Sequence, residues 1–159
     1  MDLDLFETEP ETETVQGCCA SGWSSHNGFC YKFFTSWAFW WEARWYCKLA
    51  AENIDNAKDR DLASIPDHAT NKFVSSLACN STSSCARAWV GGHDSAQEGT
   101  WQWSDGSDMD TFTSWYPGEP NNGRGYGQDY MTINYLRRGL WDDDQGWDRF
   151  GYICQYKPE

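Results

Sequence analysis

The chain has 159 residues, a formal net charge of -12, and eleven Trp, eight Tyr and eight Phe. That length suits one domain built on a single core. Twelve basic against 24 acidic residues argue against nucleic-acid binding, which needs Lys and Arg to displace counterions, and no apolar run reaches the length of a membrane span.

The first sixteen residues, MDLDLFETEPETETVQ, hold six carboxylates and no base. They read as a solvated acidic tail over residues 1–17, without the basic and apolar regions of a secretory signal. From Cys18 to residue 159 the chain reads as one unit with no internal repeat. FCYKFF (29–34) is strand-like. SWAFWWEARWYCKLAAEN (36–53) carries Phe39, Ala43, Tyr46 and Cys47, with Trp40 and Trp41 alongside, and predicts an amphipathic helix. ATNKFVSSLA (69–78) predicts a shorter helix with Phe73, Val74 and Leu77 on one side. ARAWVGG (86–92), GTWQWSDG (99–106), YMTINY (130–135) and YICQYK (152–157) predict short strands. Between Gly106 and Gly127 lies a long irregular stretch, a length that points to a functional loop.

Seven cysteines occur, at 18, 19, 30, 47, 79, 85 and 154, with no paired CxxC spacing for zinc. The sequon Asn80-Ser81-Thr82 falls between Cys79 and Cys85. Together they favour an oxidising, extracellular setting and a secreted, glycosylated chain. Only three His are present, and neither a nucleophile–base pattern nor a phosphate loop occurs, so an enzyme is not expected.

CASGWSSHNGFCYKF (19–33), WEARWYC (41–47), DLASIPDHATNKFV (61–74), AWVGG (88–92), GTWQWSDG, WYPGEPNN, LWDDD and GYICQY stand in the order of the C-type lectin-like domain, which the chain resembles from Cys18 to Tyr156. The resemblance implies an α+β fold, with two helices packed on short antiparallel sheets and a long calcium-binding loop. It implies the disulfides Cys19–Cys30, Cys47–Cys154 and Cys79–Cys85, leaving Cys18 as a candidate for an interchain bridge in a homo-oligomer. A further family disulfide is missing, because its two positions hold Tyr130 and Gly146, and a large ring opposite a glycine would fill that space.

The oxygen-rich residues gain a role from this frame. A hard cation such as calcium takes six to eight oxygen ligands. Glu119 and Asn121 flank Pro120, and a cis bond there would turn both side chains to one side. Asp142 and Asp143 add carboxylates, and either Gln128 or Asp129 stands at the family's intervening ligand position. The resemblance makes Glu119, Asn121, Asp142 and Asp143 ligands of both calcium and a sugar, with Trp101, Trp115, Tyr116, Tyr126 and Trp147 near the rim. It suggests an auxiliary calcium site from Asp94, Glu98 and Asn122. In the family, the Glu-Pro-Asn order goes with mannose-, glucose- and fucose-type hydroxyls and the reversed order with galactose. Asp142 replaces the usual Asn and so removes a hydrogen-bond donor. A protein, mineral or ice ligand is the rival reading.

Overall fold

A computed structural model of the chain describes residues 19–82, 84–109, 112–121 and 127–158. The acidic segment 1–17, Cys18, Asn122 and Tyr126 lie outside these residues. The elements run β1 (Ser24–His26), β2 (Phe29–Ala38), α1 (Trp40–Ala50), β3 (Lys58–Leu62), α2 (His68–Leu77), β4 (Ala88–His93), β5 (Gln102–Trp103), β6 (Tyr130–Ile133), β7 (Trp141–Asp144) and β8 (Phe150–Lys157). This is the expected α+β arrangement. Three strands, β1, β3 and β7, go beyond the five that the strand pattern predicts, and β3 has the sequence KDRDL, in which alternation of apolar residues is weak.

The strands form one sheet in the order β1-β2-β8-β4-β6-β7, with β3 paired to β8 and β5 to β4. Among the strands of the described residues β4 and β8 pair in parallel and the other ladders are antiparallel, with an isolated parallel bridge between Trp115 and Trp141. Each helix starts where its sequence satisfies a free amide. Glu42 accepts from the Phe39 N–H at 2.9 Å, and Asp67 accepts from the Thr70 N–H at 2.8 Å. Helix α1 buries Trp40, Ala43 and Cys47. Trp41, Trp45 and Tyr46 face outward, so the aromatic residues of that helix divide between its two faces and Tyr46 departs from the expected buried side.

The main core joins Tyr31, Ile65, Val74, Val90, Trp103, Met131, Ile133, Trp141 and Ile153. A second cluster packs Trp40, Ala43 and Cys47 of α1 on Leu62, Trp89 and Tyr152. Of the eleven tryptophans, Trp40, Trp89, Trp103 and Trp141 are buried, Trp23, Trp101 and Trp115 are partly buried against the core, and Trp37, Trp41, Trp45 and Trp147 are exposed.

All three expected disulfides are present. Cys47–Cys154 ties α1 to β8 across 107 residues, a closure that contributes about 2–4 kcal/mol. Where the family has a further disulfide, the Tyr130 ring lies so close to Gly146 that an added Cβ would stand 2.8 Å from Cε2. The same ring meets Trp40 at 4.5 Å between centroids, and the Trp40 N–H donates to the Gly146 carbonyl at 2.9 Å. Aromatic packing thus joins the segments that a covalent bond joins elsewhere. Gly146→Ala is expected to destabilise the fold by about 1–3 kcal/mol through overpacking, read as a lower urea midpoint with an unchanged slope.

Candidate functional site

The site is built on the β6–β7 hairpin. Antiparallel pairing sets Thr132 opposite Asp142 and Met131 opposite Asp143. Trp141 anchors the strand: it is fully buried, its indole donates to Asn71 Oδ1 at 2.8 Å, and Trp103, Phe112 and Trp115 meet its ring edge-on. Asn71 in turn donates to the Gly139 carbonyl at 2.9 Å, which fixes the hairpin to α2.

Loop residues 114–116 run beside β7. The Trp141 N–H donates to the Ser114 carbonyl at 2.8 Å, and the Tyr116 N–H donates to the Trp141 carbonyl at 2.9 Å. A turn closed by the Glu119 N–H on the Tyr116 carbonyl, at 2.8 Å, then delivers Glu119 to the carboxylates. The Glu119–Pro120 peptide is cis, as the sequence predicts. Asn121 donates from Nδ2 to Glu119 Oε2 at 3.2 Å and from its backbone N–H to Asp143 Oδ1, also at 3.2 Å.

Glu119, Asp142 and Asp143 each offer an oxygen within 4.8 Å of the others. A second group of the same kind holds Asp94, Glu98 and Asp129. Asp129, one of the two residues the resemblance offers for the first group, lies in the second, with its carbonyl accepting from the Asp94 N–H at 3.0 Å. Sequence order alone does not distinguish Gln128 from Asp129, because they are neighbours in the loop. Glu119 Oε1, Asp94 Oδ1 and Asp129 Oδ1 are buried and lack a hydrogen-bond partner among the described residues. Trp101 packs edge-on against Trp115 at 4.9 Å and rests on the core, while Trp147 stays exposed. Asn80 is exposed within the Cys79–Cys85 loop, its side chain accepting from Thr82 and Ser84.

Arg87 is the residue that sequence reasoning missed. Its Nη2 bonds Asp142 Oδ2 and, at 2.7 Å, Asp144 Oδ2, while Nε donates to Thr132 Oγ1 at 2.8 Å. The Tyr135 and Phe150 rings flank the guanidinium, each 4.7 Å away. No motif in the sequence links Arg87 to residues 55 positions later, and only the β4–β6–β7 pairing brings them together.

The carboxyls are strained electrostatically. Desolvation, then contact with Asp143 and Asp142, pushes Glu119 up to about 8. Desolvation also raises Asp142, with Arg87 opposing it, and raises Asp144 to about 7 with help from Asp148. Asp129 and Glu98 are raised by desolvation and by Asp94. Such crowding calls for protons or a cation.

A family model described as Lectin C-type domain matches residues 36–156. The chain belongs to the C-type lectin domain family. C-type lectin lectoxin-Lio1 of Erythrolamprus poecilogyrus is 32% identical over 143 residues, covering 89% of this chain and 82% of the relative. The solved C-type lectin CEL-I of Cucumaria echinata superposes with a TM-score of 0.78 at 27% identity, over 89% of this chain and 99% of that one. A Ca2+-dependent type II antifreeze protein, solved in its Ca2+-free form, gives 0.72 at 28% identity over 86% and 98%. C-type lectins are non-enzymatic, carbohydrate-binding proteins as a family. No helix among the described residues of this C-type lectin domain is long and apolar enough to cross a membrane.

The sign of the pH dependence follows from the raised Glu119. Folding favours its protonated form, so stability is greatest below the ordinary value of 4.5 and is lost as pH rises through about 8 when no cation is bound. In chelator the melting temperature is expected to fall between about pH 5 and 8, and added calcium to raise it more at the upper end. A melting temperature flat with pH and unmoved by calcium would count against the electrostatic reading.

Proposed function

We propose that this chain is a secreted, calcium-dependent lectin that holds a vicinal diol of a mannose-, glucose- or fucose-type sugar at Glu119, Asn121, Asp142 and Asp143. The observation that carries the reading is the convergence of three carboxylates, one with a buried oxygen that lacks a partner. The donor set is all oxygen, which fits a hard cation rather than zinc or copper. Glu119, Asn121, Asp142, Asp143 and Gln128 would hold the ion. Calcium bound there supplies positive charge and open coordination positions for two hydroxyls.

The remaining work falls to the side chains. Glu119 and the two aspartates accept hydrogen bonds from sugar hydroxyls, and the Asn121 amide donates one. Arg87 holds Asp142 in place from behind and offsets the charge that Asp brings where the family has Asn. Asp94, Glu98 and Asp129, with Asn122, would form an auxiliary calcium site whose charge steadies the loop. Trp101 and Tyr126 belong to the proposed sugar surroundings, and Asn80 to a glycosylation site. Cys18 would join two copies, since single-site sugar binding gains most from multivalency.

Two second readings stand beside this one. Galactose-type binding would depend on aromatic stacking, for which Trp101 and Tyr126 are the candidates. The antifreeze relative supports a non-sugar ligand on the same frame.

Retention on immobilised mannose is expected to require calcium, to be released by chelator, and to fall at least about tenfold in Glu119→Ala, since each charge-assisted contact contributes about 1.5–3 kcal/mol. Competition by free galactose as strong as by mannose would favour the galactose reading. No retention on any sugar would sink the lectin reading. Non-reducing electrophoresis of the secreted chain is expected to show a dimer that Cys18→Ser abolishes; a monomer with Cys18 intact contradicts the interchain bridge.

A further inference from the structure

Beside the carboxylate cluster lies a pocket of about 410 Å³ whose lining includes Arg87, Asn134, Tyr135, Arg137 and Arg138 and no carboxylate. A chain of net charge -12 has twelve basic residues in all, and three of them meet here. Arg87 is neutralised by Asp142 and Asp144. Arg137 and Arg138 are exposed and make no ion pair among the described residues.

The hairpin tip is built to hold them. Asn134 is buried and donates to the Ala86 carbonyl at 3.0 Å and the Ser75 carbonyl at 3.3 Å, while accepting from the Gly139 N–H at 2.8 Å. Asn134 and Leu136 both have positive φ, at 67° and 59°. For Leu this conformation is uncommon, and its side chain is 70% exposed, so apolar burial does not account for it. The Arg137 N–H donates to the Tyr135 carbonyl at 2.6 Å and the Leu140 N–H to the Arg137 carbonyl at 3.2 Å, which fixes the backbone at the first of the two arginines.

Two of the pocket's lining residues touch the residues that build the proposed sugar site. Arg87 bonds Asp142 directly. Tyr135 meets Tyr116 edge-on at 5.3 Å, and the Tyr116 carbonyl accepts from the Glu119 N–H at 2.8 Å.

We infer that the Arg137–Arg138 pocket is a subsite for the anionic group, a sulfate ester or a carboxylate, of an acidic saccharide whose diol occupies the Glu119–Asp142 site. This rests on the lectin reading above. Guanidinium groups present paired N–H donors that match such oxyanions, and the absence of lining carboxylates leaves their charge available. The anionic carbohydrate would otherwise be repelled by a chain of net charge -12, so a local cationic pocket beside the diol site decides which acidic sugars are admitted.

The test compares binding of neutral monosaccharides with that of the same sugars carrying a sulfate ester or a uronic carboxylate, in calcium and in chelator. The wild-type chain is expected to bind at least one acidic form about tenfold tighter than its neutral parent, with the gain shrinking at high salt. Sulfated and uronic sugars run as separate arms and tell which anion is preferred. In Arg137→Gln/Arg138→Gln the acidic preference is expected to vanish while calcium-dependent binding of the neutral sugar persists, which also verifies that the variant is folded. Equal or weaker binding of every acidic form by the wild type overturns the subsite, as does an acidic preference that survives in the double variant. Chelator separates the two proposals. A wild-type chain without acidic preference but with chelator-sensitive neutral binding removes only the subsite. Chelator-resistant acidic binding abolished by the double variant upholds the pocket and removes the calcium reading.

Discussion

The structure turns on the mutual repulsion of carboxylates packed at one end of the sheet. Glu119, Asp142 and Asp143 place oxygens within 4.8 Å of one another, and Arg87 answers only the part of that charge carried by Asp142 and Asp144. Like charges that close, partly removed from water, favour protonation or a bound cation over an empty ionised cage. The raised Glu119 is the protein's response without an ion, and cation binding is the response that would release its proton.

Holding those groups together requires a rigid foundation, which Trp141 provides. Its ring is the meeting point of Trp103, Phe112 and Trp115, and its indole N–H is bound to the buried Asn71. The strand carrying the aspartates and the loop carrying Glu119 are thus both referenced to a single fully buried side chain. The packing of Tyr130 against Gly146 and Trp40 joins the start of β6 to the turn beyond β7. Function-bearing loop residues are therefore positioned from the core outward.

Much of this was readable in the sequence, for reasons that differ by residue. The helix spans, most strands and the three disulfides followed from periodicity and family order, because each is encoded by local pattern or fixed cysteines. The Tyr130–Gly146 contact was legible from the family resemblance, which aligns the two residues with a disulfide's positions. Glu119, Asp142 and Asp143 were legible as a group because motif spacing determines which strand and loop carry them. The grouping of Asp129 with Asp94 and Glu98 was not legible, because neighbouring residues in a loop cannot be told apart without the backbone. Arg87 was invisible because its partners arise from sheet order, which no local pattern states. The outward-facing Trp41 and Trp45 mislead for a different reason: composition records how many rings there are but not which face of a helix they occupy.

Calorimetric titration of the metal-free chain with calcium near neutral pH, in two buffers of different ionisation heat, tests the central claim most directly. The account predicts saturable binding, with a dissociation constant of about 10⁻⁴–10⁻³ M as in extracellular calcium modules, accompanied by net proton release that Glu119→Gln abolishes. Absence of saturable binding at millimolar calcium, or binding whose proton release is unchanged in Glu119→Gln, would contradict it.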